Sequence, residues 1–220
     1  MIYKLMNINS LDEELIKNYF PMLTEARQKK IASMKNTEER SVAFCAEIIA
    51  RQCLSKFCDA PEFSFSLLCN PNSRSVVGNF NVEICIVRYN EFVACAVSDN
   101  FVGISIVPVQ SFSFKDAQKL LSDSEIRSVF SESVYSFAEL VNFTECKEEN
   151  VKQKFAIFNS LKEAHYYSTG RGVRSEINKI IFEINNNGII CSDENAKVSV
   201  SHINNDFLLA VSVVERKKNE

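Results

Sequence analysis

The stretch Phe155–Gly172, FAIFNSLKEAHYYSTGRG, has the features of the second half of a long helix that ends at a glycine. No proline or glycine occurs from Glu145 to Thr169, and Gly170 suits the left-handed position just past a helix C-terminus. Arg171 and Gly172 continue the exit turn. The apolar residues that recur every three or four positions are Val151, Phe155, Phe158, Leu161 and Ala164. This spacing predicts one buried helix face.

Lys162 and Glu163 stand side by side next to this apolar face. An ammonium group offers a point charge for a phosphate, and a carboxylate offers a hard oxygen for a metal ion or a proton. A solvated Lys-Glu pair with no chemical role fits the same pattern. The stretch alone leaves both interpretations open.

The composition is that of an ordinary globular protein. The 220 residues, 46% hydrophobic and 24% charged, suffice for one large domain or two small halves. The formal net charge of -3 argues against nucleic acid as a partner, so any anion must bind at a local basic cluster. The N-terminus lacks a secretory pattern, and no apolar run approaches the roughly 18 residues of a membrane span. We expect a cytoplasmic protein without membrane contact.

The eight cysteines predict buried apolar positions rather than a metal site. No pair has C-x-x-C spacing and only two histidines occur, which argues against zinc. Most of the cysteines lie among apolar residues, as expected for small hydrophobic side chains in a reducing cytoplasm. A disulfide framework is the alternative.

Periodicity and capping signals predict helices and strands in both halves of the chain. The predicted helices are Leu11–Met22 with Ser10 as N-cap, Thr24–Met34, a third from Asn36 or Thr37 to Cys58, Phe114–Leu121, and Asp123–Phe130 capped by Ser122. The predicted strands are Ile2–Met6, Phe63–Leu68, Val82–Val87, Phe92–Val97, Phe101–Val107, Lys179–Ile184, Ile189–Ser192, Ala196–His202 and Phe207–Val214. Residues 88–91 are expected to form a turn, and 133–143 could be helix or loop.

An internal similarity predicts the fold class. ICIVRYNEFVACAVS (84–98) and VSVSHINNDFLLAVS (198–212) each contain an alternating strand, a turn with an asparagine and an acid, and an apolar strand. Helices precede both. We therefore predict an α+β pseudo-dimer of two similar helix-plus-antiparallel-sheet halves, residues 1–108 and 109–220. Coincidence between two hairpins is the alternative.

Four stretches carry a resemblance to a known family. LTEARQKKIASM, ERSVAFCAEIIARQCL, FVACAVSDNFVGISIVP and FNSLKEAHYYSTGRG together span most of the chain. They resemble the 4'-phosphopantetheinyl transferases, specifically the two-lobed monomeric type that activates surfactin-type synthetases, so the resemblance implies a monomer. The third stretch resembles V-x-x-A-x-S-x-x-x-V-G-I-D-I-E, and the fourth resembles W-S-x-K-E-A-x-x-K-x-x-G-x-G.

The resemblance implies a transferase that moves phosphopantetheine from coenzyme A to a serine of an acyl or peptidyl carrier protein, as holo-ACP synthases do. In that family a Mg²⁺ ion held by three carboxylates bridges the pyrophosphate and neutralises charge on the transferring group. A further carboxylate or a water takes the serine proton. Basic side chains hold the phosphates of coenzyme A.

Several positions of this chain match the family pattern. Glu163 stands at the metal-binding glutamate of K-E-A, and Lys162 at the lysine that touches the coenzyme A phosphates. Glu125 matches the acid that follows the central segment. Arg27 and Lys30 fall where the family places phosphate-binding residues. The resemblance thus implies catalytic roles for Glu163, Lys162 and Glu125.

Other positions depart from the pattern. Ser105 and Val107 stand where the family has the metal-binding Asp and Glu, so Glu163 would be the remaining metal ligand. Arg88 replaces a histidine and is a further candidate for the coenzyme A phosphates; an exposed turn arginine is the alternative. Residues 70–73 stand in place of a G-K-P loop.

Three hypotheses follow from these matches and departures. The chain is an active transferase with an altered metal site, a degenerate member or pseudoenzyme that binds coenzyme A or a carrier protein without turnover, or a structural partner. If only the metal site was lost, Ser105→Asp with Val107→Glu is expected to create or raise activity.

Overall fold

A computed structural model describes residues 1–68, 76–131, 133, 139, 145–170 and 174–216. The helices in these ranges are α1 (Glu13–Tyr19), α2 (Glu25–Ala32), α3 (Thr37–Cys58), α4 (Phe114–Leu120), α5 (Asp123–Val129) and α6 (Glu149–Thr169). The strands are β1 (Ile2–Asn7), β2 (Leu67–Leu68), β3 (Val76–Val77), β4 (Glu83–Tyr89), β5 (Phe92–Ser98), β6 (Phe101–Pro108), β7 (Phe182–Asn185), β8 (Gly188–Cys191), β9 (Ala196–His202) and β10 (Phe207–Val214). The predicted exit turn at 171–172, the loop at 70–73 and nearly all of 133–143 lie outside the described residues.

The chain divides into two compact units, Met1–Val102 and Gly103–Glu220. In the first unit, β1, β5 and β4 form a three-stranded sheet in that order. β5 is antiparallel to both neighbours, and the long helix α3 packs against it. In the second unit, β6, β10 and β9 form a three-stranded sheet in that order, and α6 packs against β10. β9 and β10 are an antiparallel hairpin.

The two units share one topology. Each begins with a single strand, continues through a long helix to a hairpin, and places the second hairpin strand between the first strand and the other hairpin strand. The paired hairpins, β4–β5 and β9–β10, fall on the two stretches whose similarity the sequence displayed. The predicted fold class, α+β with two helix-plus-antiparallel-sheet halves, is confirmed. The predicted domain boundary at residue 108 stays a prediction.

α3 provides the core of the first unit. Asn36 caps it by accepting hydrogen bonds from the backbone N–H groups of Glu38 and Glu39, as a helix N-cap requires. Apolar residues spaced mostly one, three or four positions apart form its buried face, and each is at most 4% exposed: Val42, Ala43, Ala46, Ile49, Ala50 and Cys53. At the other end Asp59 adopts a left-handed conformation with φ 49° and ends the helix.

α6 provides the core of the second unit, as the sequence predicts. Gly170 ends the helix in the left-handed conformation with φ 61°, which costs glycine little. Val151, Phe158, Leu161 and Ala164 are at most 1% exposed and belong to one apolar cluster. Phe155 is half-buried and packs against that cluster, stacked on the ring of Phe112 with ring centroids 3.8 Å apart.

The predicted strand Phe63–Leu68 is wrong over most of its length. Glu62–Ser64 is a 3₁₀ turn, and only the last two residues, Leu67–Leu68, pair as β2. Side chains from elsewhere in the chain bind this backbone. Arg51 donates to the carbonyls of Glu62 and Phe65, and Asn79 bonds the backbone on both sides of Phe65. These contacts replace a strand ladder.

Three boundary predictions also need correction. Arg88 lies in β4, because the connection to β5 takes only the two residues 90–91 and Asn90 accepts the positive φ of 48°. Lys179 ends a 3₁₀ helix, and the following strand β7 begins at Phe182. Asp12, rather than Ser10, caps α1, since its side chain accepts from the Leu15 N–H.

The seven described cysteines are free thiols, and five of them are buried. This agrees with the expectation of small apolar side chains. Burial raises the pKa of Cys45 to about 12, so this thiol stays protonated at any physiological pH. Among the described residues, no helix is both long and apolar enough to cross a membrane.

β6 and α6 approach each other more closely than side chains would ordinarily allow. A Cβ atom added to Gly103 would overlap the carbonyl oxygen of Ala164 and the amide nitrogen of Ser168. The carbonyl carbon of Tyr167 would lie 3.0 Å away. Glycine is therefore required at this point of β6, where strand backbone meets helix backbone.

We predict that Gly103→Ala destabilises the protein by about 3 kcal/mol, because backbone cannot move aside as a flexible side chain can. Urea unfolding monitored by circular dichroism measures the change. Gly78→Ala is the matched control: the nearest atom to its new Cβ would be the Ser66 hydroxyl oxygen at 3.3 Å, with the Ser66 Cβ and carbonyl oxygen at ordinary contact distances, and the change should stay within about 1 kcal/mol. Equal midpoints for the two variants would contradict the close approach.

We also predict that a thiol reagent labels Cys58 and Cys85, which are half-buried, before Cys45, Cys53 and Cys95, which are buried. Peptide mapping after brief alkylation at pH 8 measures the order, and a urea-unfolded sample supplies full labelling. Rapid native labelling of Cys45 would argue against its burial.

Candidate functional site

Lys162 lies in the interior of the second unit and is only 1% exposed. Its Nζ is 2.7 Å from the Glu125 carboxylate, and neither side chain is exposed to solvent. The same ammonium donates to the backbone carbonyls of Ile177 and Ile180 and lies 6.0 Å from the centroid of the Phe182 ring. Burial lowers the pKa of Lys162, and the Glu125 carboxylate opposes that shift. The interpretation of residues 162–163 as a solvated Lys-Glu pair is therefore wrong for Lys162.

Glu125 is held as firmly as its partner. It sits in the first turn of α5, where it completes a capping box with Ser122. One carboxylate oxygen accepts from the Ser122 N–H at 2.7 Å, and the other accepts from the Phe182 N–H at 2.8 Å. The Lys162–Glu125 pair thus joins α6 and α5 to the start of β7. The structure brings these two predicted catalytic residues together; their roles in catalysis stay predictions.

Ser105 and Val107, at the positions of two family carboxylates, both face α6. The Ser105 hydroxyl donates to the backbone carbonyl of Ser160 at 2.7 Å, and Ser105 is 1% exposed. Val107 is 3% exposed and packs in an apolar cluster with Ala156 and Leu208. Neither side chain is a carboxylate, and both are buried against α6.

Glu163 lies on α6, three residues or just under one helical turn after Ser160. It is half-buried. Mg²⁺ in proteins needs oxygen ligands in octahedral geometry, normally including one or two carboxylates beside the phosphates of a substrate. At the other two positions of the family's carboxylates, this chain has a buried hydroxyl and a valine. The side chains at these positions therefore do not fit the three-carboxylate magnesium site that the resemblance implies.

The described residues give no other metal centre. No group of three or more His, Cys, Asp or Glu side chains in the described ranges could hold a metal ion. A metal-binding role for Glu163 stays a prediction that rests on the resemblance.

Arg27, predicted to bind phosphate, pairs inside the first unit with the buried Glu47. The two lie 2.6 Å apart from Nε to Oε1, and Glu47 is only 1% exposed. Arg51 approaches the other oxygen of Glu47 at 3.4 Å and lies over the ring of Phe63. One carboxylate thus holds two guanidinium groups and connects α2 to α3. The phosphate-binding role of Arg27 stays a prediction.

Lys30 and Arg88 are exposed, unlike Arg27 and Lys162, the other two residues predicted to bind phosphate. Both lie in the first unit, Lys30 in α2 and Arg88 near the end of β4. A cavity of about 530 Å³ in that unit contains neither of them. Its lining is Ile8, Asn9, Thr37, Glu38, Ser41, Asn90 and Glu91. The carboxylates of Glu38 and Glu91 in this lining would repel a phosphate, so the cavity is unsuited to one.

Sequence reasoning missed the residues that hold the predicted ones in place. Glu47 was absent from the predicted site, although a glutamate inside the apolar face of α3 signals a buried charge that needs a partner. The Ser160 carbonyl carries no sequence signal at all, because every residue has a carbonyl. Phe182 gave only a strand signal, yet its N–H and its ring both contact the Lys162–Glu125 pair.

Comparison with known proteins gives one informative likeness. No protein-family model matches the chain. The 4'-phosphopantetheinyl transferase gsp of Aneurinibacillus migulanus is 20% identical over 193 residues, which cover 88% of this chain and 75% of that protein. Among solved structures, the holo-[acyl-carrier-protein] synthase of Thermotoga maritima matches with a TM-score of 0.39 and 24% identity, over 53% of this chain and 64% of that one.

The described residues form an α+β protein with two helix-and-sheet units. The second unit contains the buried Lys162–Glu125 pair, and Glu163 follows Lys162 in the sequence. The sequence likeness extends over nearly the whole chain and confirms the predicted resemblance. Over most of its length the chain is thus similar to a 4'-phosphopantetheinyl transferase.

We predict that Lys162→Met destabilises the protein by about 3–5 kcal/mol, because it leaves the Glu125 carboxylate buried without its counter-charge. The double variant Lys162→Met with Glu125→Gln should recover part of that loss. Urea unfolding measures all three proteins. Lys119→Met is the control, since Lys119 is 66% exposed in a surface pair with Asp116 and should change stability by less than about 1 kcal/mol. A Lys162→Met midpoint equal to that of the wild type would contradict the pair's structural role.

Proposed function

We propose that this phosphopantetheinyl transferase-like protein binds coenzyme A and a carrier protein but does not carry out the family's magnesium-dependent transfer. The observation that carries the proposal is the pair of contacts made by Ser105 and Val107. One side chain is bonded to a helix carbonyl and the other is packed in an apolar cluster. Two of the three carboxylates that would hold the magnesium ion are thereby replaced by a neutral hydroxyl, buried against α6, and by an apolar side chain.

The likeness to a transferase supports the choice of ligand. The relative from Aneurinibacillus migulanus is named for 4'-phosphopantetheinyl transfer, and it aligns with 88% of this chain. Coenzyme A is the donor of that group, and carrier proteins receive it. These two partners are therefore the first to test.

The exposed cations are the first candidates for the phosphates of coenzyme A. An arginine makes charge-assisted bidentate bonds to phosphate, and a lysine acts as a point charge. Lys30 and Arg88 are exposed and hold these charges at the surface, whereas Lys162 and Arg27 already contact internal carboxylates. We assign ligand binding first to Lys30 and Arg88.

One observation favours the alternative, an active transferase. Glu163 is retained, and the acid and the lysine predicted to assist it, Glu125 and Lys162, lie 2.7 Å apart on neighbouring helices. A carrier serine could lose its proton to a carboxylate in this region. Both proposals accept coenzyme A as a ligand and differ only in turnover.

The experiment measures binding and turnover separately. Purified protein is titrated with coenzyme A and with adenosine 3',5'-bisphosphate by calorimetry, and a thermal shift is recorded with each ligand. Apo acyl and apo peptidyl carrier proteins are then incubated with the protein, coenzyme A and MgCl₂, and each carrier is weighed by mass spectrometry. We expect binding without a mass gain. A phosphopantetheine mass gain on any carrier would establish the active transferase, and the absence of all binding would leave the structural-partner hypothesis.

Matched variants identify the cations involved. Arg88→Ala and Lys30→Ala should each weaken coenzyme A binding about tenfold, the effect of one lost charge-assisted contact. Lys29→Ala is the control, because Lys29 is 75% exposed next to Lys30 but pairs with Glu25. Equal affinities for the Arg88, Lys30 and Lys29 variants would show that these two cations do not bind the phosphates.

A further inference from the structure

The contact between β6 and α6 is regular. Gly103, Ser105 and Val107 alternate along β6 and therefore share one face of the strand. They meet α6 at Ala164 and Ser168, at Ser160, and at Ala156, respectively. For every two residues along β6 towards its C-terminus, the contacted position on α6 lies four residues closer to the N-terminus of the helix. Four helical residues rise about 6 Å and two strand residues about 6.6 Å, so the two spacings match.

Small side chains on α6 make this close contact possible. Ala156, Ser160, Ala164 and Ser168 recur every fourth residue, and each is at most 2% exposed. The face of β6 that carries the two former carboxylate positions is thereby closed against the helix. The Ser105 hydroxyl is bonded within that contact, where it donates to the Ser160 carbonyl.

A carboxylate does not fit at either position. An aspartate at 105 would have no proton to donate and would place a negative oxygen against the carbonyl oxygen of Ser160 in a site that excludes water. A glutamate at 107 would put its charge among Ala156 and Leu208, in an apolar cluster. Both substitutions would have to push the helix away from the strand before Glu163 could share a cation with them.

We propose that β6 has become a packing surface for α6 and that the chain binds its phosphorylated ligand without a divalent cation. The first half of this inference concerns the fold and stands by itself, while the second half rests on the proposed binding of coenzyme A. It follows that restoring the two acids destabilises the protein instead of rebuilding the metal site. This reverses the expectation, drawn from the family motif alone, that the acids would create or raise activity.

The test of the packing surface uses a charged and a neutral pair of substitutions. Ser105→Asp with Val107→Glu is compared with Ser105→Asn with Val107→Gln, which matches its size without charge. The melting temperature of each full-length protein is measured in EDTA and in 10-fold steps of MgCl₂. We expect the acid pair to melt roughly 10 °C below the wild type at every magnesium concentration, and the amide pair to be less affected.

Two outcomes decide this half of the inference. A rise in the melting temperature of the acid pair with MgCl₂ that the amide pair lacks would show a rebuilt metal site and overturn it. If the acid pair cannot be obtained folded even when it is expressed and purified in MgCl₂ while the amide pair can, the charge itself is not tolerated, as inferred.

The test of metal-independent binding uses the wild-type protein. Its affinity for coenzyme A, measured by calorimetry, should differ by less than about twofold between EDTA and MgCl₂. A tenfold gain in MgCl₂ would overturn this half of the inference. Absence of coenzyme A binding in both buffers would refute the proposed function and metal-independent binding with it, while the melting experiments would still decide whether β6 is a packing surface.

Discussion

The close approach of β6 to α6 is the constraint on which the second unit depends. Gly103 lets strand backbone touch helix backbone, and Ser105 ties the two together through the Ser160 carbonyl. Once the helix is held there, its opposite side directs Lys162 into the interior, where Glu125 and the carbonyls of 177 and 180 receive it. The buried pair then fixes the start of β7 through the Phe182 N–H. Packing and charge pairing thus follow from one contact.

The four residues predicted to bind phosphate fall into two groups, one buried in ion pairs and one exposed. Two of the four predicted phosphate-binding residues are held by buried carboxylates, Arg27 by Glu47 and Lys162 by Glu125. Breaking such a pair leaves one charge without compensation in a medium that solvates it poorly, so each pair strongly favours the folded arrangement over partial opening. The other two cations, Lys30 and Arg88, are exposed and do not belong to either buried pair. A substitution at Lys30 or Arg88 therefore tests the proposed ligand binding without breaking either buried pair.

Local signals in the sequence were enough to predict much of the fold. The bounds of β9 and β10 agree with prediction, because β9 alternates, β10 is an apolar run and a polar turn separates them, and Gly170 marks the end of α6. The strand predicted at Phe63–Leu68 failed because Arg51 and Asn79, from other parts of the chain, bind its backbone. Alternation of apolar residues gives no sign of partners that compete for the same carbonyls.

The candidate site was predictable in its residues but not in their surroundings. The motif identified Ser105 and Val107 as departures from the family, and it identified Lys162, Glu163 and Glu125 as matches. Burial of Lys162 could not be predicted, since its ion-pair partner lies in another helix and its other partners are backbone carbonyls. A helical pattern predicts which face is apolar, but a lysine at the margin of that face can point either way.

The equal steps of strand and helix have an evolutionary consequence. Gly103 and Ser105 meet backbone atoms of α6, which no helix substitution removes, so these two positions are restricted whatever side chains stand at 164 and 160. Val107 packs with the side chain of Ala156, so size can be exchanged within that pair. Among homologous sequences that keep this close approach, 103 should stay glycine, while 107 and 156 should covary.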